Sequence, residues 1–373
     1  MVVYGQIVVG PPGAGKTTYC NGMQQYLRAL GREALVVNLD PANEAESDYH
    51  ESSSGGSSNF ENSSTGLPYD TILDACEDII NLSSVMEKLK LGPNGGLMYC
   101  LEYMEHHVES LIQLLKERIE QYETEHNLGA PPYLLFDFPG QVELYTHNTC
   151  VQHILAKIVK ALDCRLVAIM LIDAHSCADA SKFISSALLS TTTMLRLELP
   201  AVNVLSKVDL LPGYGESIPM PLDFFTEAHD LDRLLPYLDG LGDVQDSSID
   251  DDTERRIMDD EDYRKARHKT RNTRFYKRYH KMHKELCEVI DDYSLLSYVP
   301  LDINDATSVG RLLARIDKCN GYVFTGRINK AAKENKEPTV HDMFNCAMQT
   351  DSEWGYEHIA DIKEKLDHTT DSI

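Results

Sequence analysis

Eight residues near the N-terminus constrain this chain more than any others. Gly10-Pro11-Pro12-Gly13-Ala14-Gly15-Lys16-Thr17 fits the phosphate-binding loop pattern G-x-x-x-x-G-K-[ST]. Its surroundings agree with its letters. The apolar run Ile7-Val8-Val9 reads as a short buried strand, Met23, Tyr26, Leu27 and Leu30 recur at helical spacing, and Gly31 stands where a helix stops. A strand, a glycine loop and a helix in that order commit the chain to an α/β fold with a mostly parallel sheet. The loop also sets the chemistry. Its backbone N–H groups, around Gly13, Ala14 and Gly15, can point at phosphate oxygens, and the helix opened by Lys16, Thr17 and Thr18 presents its positive end to them. Lys16 is expected on the β- and γ-phosphates and the Thr17 hydroxyl on Mg²⁺.

The 373 residues are ample for one packed core with insertions. The longest apolar run, Leu166 to Ile172, is too short to span a bilayer. The first strand begins almost at once, so no signal peptide is expected. Nine cysteines are scattered without Cys-x-x-Cys or paired Cys/His spacing, which reads as thiols in a reducing compartment. These features point to a cytoplasmic protein that does not engage membrane. A net charge of −24 argues against direct nucleic-acid binding and favours basic partners or plain solubility.

Further along, Ala34 to Leu39 reads as a second strand, and Asp40 follows at its C-terminal end, where α/β sheets bind ligands. Asp40 there can serve the Mg²⁺ shell or an attacking water. Residues 45–66 are serine- and glycine-rich and read as a disordered insertion. From Asp70 to Lys90 the apolar spacing predicts helix. Leu91-Gly92-Pro93-Asn94-Gly95-Gly96 then reads as a rigid turn before a helix from Leu97 to about Glu125. Tyr133 to Asp137 is the next strand. The Asp137-Phe138-Pro139-Gly140 that ends it suits a nucleotide switch, with Asp137 binding Mg²⁺ through water and the Gly140 N–H reaching the γ-phosphate. Gln141 and Glu143 stand where water-positioning groups act.

Strands at Leu166 to Ile172 and Val202 to Leu205 follow, the second leading into Ser206-Lys207-Val208-Asp209. This stretch resembles the guanine-reading N-K-x-D of GTPases. An aspartate at 209 can accept from guanine N1–H and the exocyclic amine, a pair that adenine lacks. The Lys207 stem would pack along the base. Ser206 replaces the usual asparagine. A helical insertion is expected over about 213–293, holding an acidic stretch at 239–262 and a basic segment at 264–284 that we read as a solvated helix. Strand Leu296 to Leu301 and a helix over Val309 to Lys318 complete a domain of residues 1–325. Residues 326–373 form a partly ordered tail that includes Trp354.

Together, Gly10 to Thr18, Asn38-Leu39-Asp40-Pro41-Ala42, Leu91 to Gly96, Asp137 to Leu144, Asp173 to Ile184 and Ser206 to Asp209 resemble the GPN-loop GTPase family, most closely its second eukaryotic paralogue. The resemblance implies a three-layer P-loop α/β fold with a small helical insertion after the guanine motif. It implies GTP and GDP as ligands with Mg²⁺, and hydrolysis of GTP. Asp40, Gln141 and Glu143 would then hold the attacking water. Asn94 would act near the γ-phosphate across a dimer interface, in a homodimer or a heterodimer with a related GPN-loop GTPase. The family also implies work in assembly and nuclear import of RNA polymerase II, with its subunits or assembly factors as partners and shuttling between cytoplasm and nucleus. Two other functions share the loop: a P-loop phosphotransferase, and a non-catalytic scaffold locked by nucleotide.

Overall fold

The apolar runs become strands buried on both faces, as a parallel sheet requires. The computed structural model describes residues 2–43, 67–128, 131–211, 218–238, 274–293 and 296–324. The serine-rich insertion at 45–66, the acidic stretch at 239–262, the start of the basic segment at 264–273 and the tail at 326–373 lie outside the described residues. Strands β1 (Val3–Val9), β2 (Ala34–Asn38), β3 (Thr71–Asp74), β4 (Tyr133–Asp137), β5 (Cys164–Asp173), β6 (Ala201–Ser206) and β7 (Tyr298–Leu301) hydrogen-bond in the order β3-β2-β4-β1-β5-β6-β7. Pairing is parallel, with Ile7 opposite Phe136 and Ala168, Val37 opposite Phe136, and Val204 opposite Val299. The connecting helices include α1 (Lys16–Ala29), α2 (Ala75–Asp78), α3 (Leu82–Leu89), α4 (Pro93–His106), α5 (Val108–Glu125), α6 (Glu143–Thr146), α7 (Cys150–Leu162) and α8 (Ala180–Leu197). The expected three-layer α/β architecture of P-loop proteins is therefore present. No helix among the described residues is long and apolar enough to cross a membrane.

Three expectations need correction. Residues 71–74 are strand β3 and not helix: Thr71 and Ile72 are β-branched, Ile72 and Leu73 are buried, and the strand pairs with β2. Buried Gln24 secures the approach to this strand, donating to the Asp70 carbonyl at 2.8 Å and accepting from the Asp70 N–H at 2.9 Å. Asp74 then ends the strand by capping α2, accepting from Cys76 N–H at 2.9 Å. The second correction concerns Pro93 to Gly96, which are not a turn ahead of a helix but the first turn of α4. Gly92 is its N-cap and Pro93 its first residue, where a missing N–H costs nothing. The helix expected as far as Glu125 also breaks at His107, between α4 and α5.

Chain proximity groups the described residues into two compact units. The first draws on the described residues within 2–171, 193–202 and 302–324, the second on those within 172–192 and 203–301. In the first, Ile7, Val8 and Val9 are wholly buried together with Met23 and Leu27 of α1. In the second, Phe183 and Phe225 are both fully buried and meet edge to face at 4.8 Å between ring centroids. The Tyr298 hydroxyl donates to Ser190 Oγ at 3.1 Å. Within the expected insertion, described residues form the helix Leu222–Glu227, a 3-10 turn at Leu231–Leu234 and the helix Arg274–Tyr293.

Candidate functional site

In the first unit, β1 delivers the chain into the phosphate loop. Gly13 and Gly15 have φ of +79° and +89°, a left-handed backbone that side chains disfavour, so the glycines are what let the loop curl. Gly15 caps α1 with no side-chain acceptor. The first-turn N–H groups of α1 are therefore available to bind an anion. Within the loop Ala14 is buried, and Thr18 on α1 is exposed.

Lys16 is 9% exposed, and its Nζ donates to the Pro11 carbonyl at 3.5 Å. It makes no ion pair among the described residues. Burial pushes its ammonium pKa down, against the opposing fields of Asp137 and Asp40. Gly140 lies directly against it: a Cβ at that position would sit 2.5 Å from Lys16 Nζ and 3.1 Å from Pro12. Only a glycine leaves the ammonium its place. The Tyr145 hydroxyl pins this loop by donating to the Pro139 carbonyl at 2.5 Å.

Asp137 ends β4 and is buried. Its Oδ2 accepts from Thr17 Oγ1 at 3.1 Å and from the Tyr69 hydroxyl at 3.0 Å. Its Oδ1 is buried with no hydrogen-bond partner among the described residues. Burial raises the Asp137 pKa to about 6, Asp40 adding to the rise and Tyr69, Lys16 and Thr17 opposing it. Asp40 is partly buried, which also raises its pKa. Its Oδ1 accepts from Ala42 N–H at 2.9 Å, and its own N–H donates to Asn38 Oδ1 at 3.2 Å. Gln141 Oε1 is a second buried oxygen without a partner among the described residues. Glu143, the first residue of α6, and Asn94, in the first turn of α4, are exposed, and no hydrogen bond joins either side chain to the phosphate loop.

The residues present fit a Mg-nucleotide. The Thr17 hydroxyl, an Asp137 oxygen with no hydrogen-bond partner among the described residues and the buried Lys16 ammonium lie by the start of α1. Among the described residues there is no group of three His, Cys, Asp or Glu able to hold a metal alone.

The second unit carries the candidate base reader. Ser206 ends β6 and is 8% exposed. Lys207 follows in the left-handed region at φ +62°, and its Nζ meets Asp173 Oδ2 at 2.8 Å. Asp173 is fixed in turn, its Oδ1 accepting from His175 N–H at 2.9 Å. Val208 is buried, leaving Asp209 exposed. Sequence reading had the Lys207 stem and Asp209 but missed the anchor, because only folding brings 173 beside 207. It also missed Tyr69 and Asn43 beside Asp137, since neither belongs to a recognisable motif.

The chain matches a protein family described as "Conserved hypothetical ATP binding protein" over residues 8–53 and 47–322. It is 40% identical over 364 residues to the GPN-loop GTPase QQT1 of Arabidopsis thaliana, covering 98% of this chain and 97% of that one. It is 42% identical over 321 residues to GPN-loop GTPase 2 of Danio rerio, covering 86% and 82%. Against GPN-loop GTPase 2 of Saccharomyces cerevisiae identity is 37% over 321 residues, covering 86% and 75%. A solved GTPase in apo form from Pyrococcus abyssi shares the fold, with a TM-score of 0.50 at 17% identity over 85% of this chain and 97% of that one.

Proposed function

The chain belongs to the GPN-loop GTPase family, and from that premise we propose that it binds GTP with Mg²⁺ and hydrolyses it with water to GDP and phosphate. The observation that carries this reading is the buried Lys16 ammonium, which makes no ion pair among the described residues and lies at the end of the phosphate loop within the field of Asp137. Lys16 and the N–H groups of α1 bind the phosphates, and the Gly140 N–H adds a donor for the γ-phosphate. Thr17 and Asp137 would hold Mg²⁺, which supplies charge neutralisation on the phosphate oxygens when bound. The unpartnered Gln141 Oε1 is available to orient the attacking water, with Asp40 and Glu143 as further acceptors. Lys207 and Asp209 read the guanine, and Asp173 holds the Lys207 side chain in place.

The relatives are named GTPases while the family description says ATP, so base choice is the first thing to measure. Purified protein titrated with fluorescent GTP and ATP analogues in Mg²⁺ is expected to prefer guanine by at least about tenfold, with Asp209→Ala removing the preference. Equal binding of the two would remove Asp209 as reader and return the phosphotransferase and ATPase readings.

The switch we propose is dimeric, either with itself or with a related GPN-loop GTPase. Leu89, Leu91 and Tyr99, close to exposed Asn94 in the chain, are exposed apolar side chains, as a partner surface would need. With Asn94 acting in that interface, Asn94→Ala is expected to keep GTP affinity and to slow single-turnover hydrolysis about tenfold or more. Unchanged turnover would take Asn94 out of the mechanism, and absent turnover in the wild type would favour the nucleotide-locked scaffold. A role in RNA polymerase II assembly and nuclear import, with cytoplasmic residence and shuttling, rests on the family resemblance alone.

A further inference from the structure

We infer that Tyr69, held by Asn43, is a positioning residue that fixes which oxygen of Asp137 is offered to the nucleotide-bound metal; the inference rests on the Mg·GTP reading above. The geometry is a directed chain. Asn43 Nδ2 donates to the Tyr69 oxygen at 2.9 Å, and the Tyr69 hydroxyl donates to Asp137 Oδ2 at 3.0 Å. An amide NH₂ cannot accept, so the tyrosine proton has one place to go, the carboxylate. Thr17 Oγ1 donates to the same oxygen at 3.1 Å. Oδ2 thus takes two donors, Oδ1 takes none among the described residues, and the carboxylate has one orientation in which the open oxygen is Oδ1.

The chain is rigid at its far end too. Asn43 N–H donates to the Asp40 carbonyl at 3.1 Å, and the Asn43 carbonyl accepts from Asn38 Nδ2 at 3.3 Å. Tyr69 is 3% exposed, so its ring has no freedom to turn the hydroxyl away. A tyrosine serving only as core needs no such two-sided polar partnership. The same bond joins described residues that lie on either side of 44–66 in the chain.

The test uses the full chain loaded with a fluorescent GDP analogue, timing release over a series of free Mg²⁺ concentrations and in EDTA, with thermal melting alongside. In Tyr69→Phe the release rate in EDTA is expected to stay within about twofold of wild type. The Mg²⁺ concentration that half-maximally slows release should rise about tenfold, the scale of one lost hydrogen bond to a charged group. Asn43→Ala keeps the hydroxyl but frees its direction, and a smaller shift in the same sense is expected, about threefold. This variant decides the matter should Tyr69→Phe melt early. A purely structural tyrosine would change release equally with and without Mg²⁺, or change only the melting temperature, and either result overturns the inference. Wild-type release that ignores Mg²⁺ would overturn it differently, by removing the metal reading on which it rests.

Discussion

Lys16→Ala is expected to lower GTP affinity by at least about a hundredfold, read by titration with a fluorescent analogue, while leaving the fold intact. A hydrogen bond to a charged group contributes about 1.5–3 kcal/mol, and Lys16 is placed to make two, one to each of the terminal phosphates. The lysine is also a desolvated cation that no carboxylate pairs with among the described residues, which is why burial leads the causes depressing its pKa. Removing it relieves that burial in the empty protein. The variant's melting temperature without nucleotide should therefore match or exceed that of wild type. Loss of binding together with lower stability would mean that Lys16 acts through the fold, and wild-type affinity would sink the phosphate assignment.

What the sequence made legible, and what it hid, follows one physical division. The phosphate loop could be read because its requirements are local: two glycines in left-handed conformations, a lysine and a hydroxyl on the next helix turn. The strands could be read because a parallel sheet buries both faces, so β5 is almost uninterrupted apolar sequence. Strand β3 could not. Its four residues are too few to establish a period of two, and the helical spacing downstream of them extends backwards over Ile72 and Leu73. Gly92 to Gly96 misled for the opposite reason. Glycine, proline and asparagine signal a turn, yet proline is also at home in the first turn of a helix, and α4 starts there. The partners of the site residues were hidden because they depend on distance in space. Asp173 lies 34 residues from Lys207 and Tyr69 lies 68 from Asp137. Nothing about either residue taken alone separates an anchor from an ordinary strand end or core ring.

Asp137→Asn is expected to separate stability from activity. Burial first, and the nearby Asp40 charge second, raise the folded Asp137 pKa to about 6. An unfolded aspartate titrates near 3.9, so the folded state binds this proton more tightly than the unfolded state does. The sign follows directly. The contribution of Asp137 to stability is most favourable below about pH 4, falls as pH rises through about 6, and stays lower above it. The gap of about two units corresponds to at most about 3 kcal/mol at neutral pH. Asparagine has nearly the same shape and no charge to desolvate. In EDTA and without nucleotide, the variant should melt above wild type at about pH 7.5, with the difference shrinking as pH falls and closing near about pH 4. With Mg²⁺ and GTP the order reverses, because a neutral amide no longer counters the metal's charge, and turnover should fall by about a hundredfold or more. A variant less stable than wild type at every pH would mean that the Oδ2 contacts with Thr17 and Tyr69 outweigh the buried charge. A variant with normal Mg²⁺-dependent turnover would mean that the open Oδ1 serves something other than the metal.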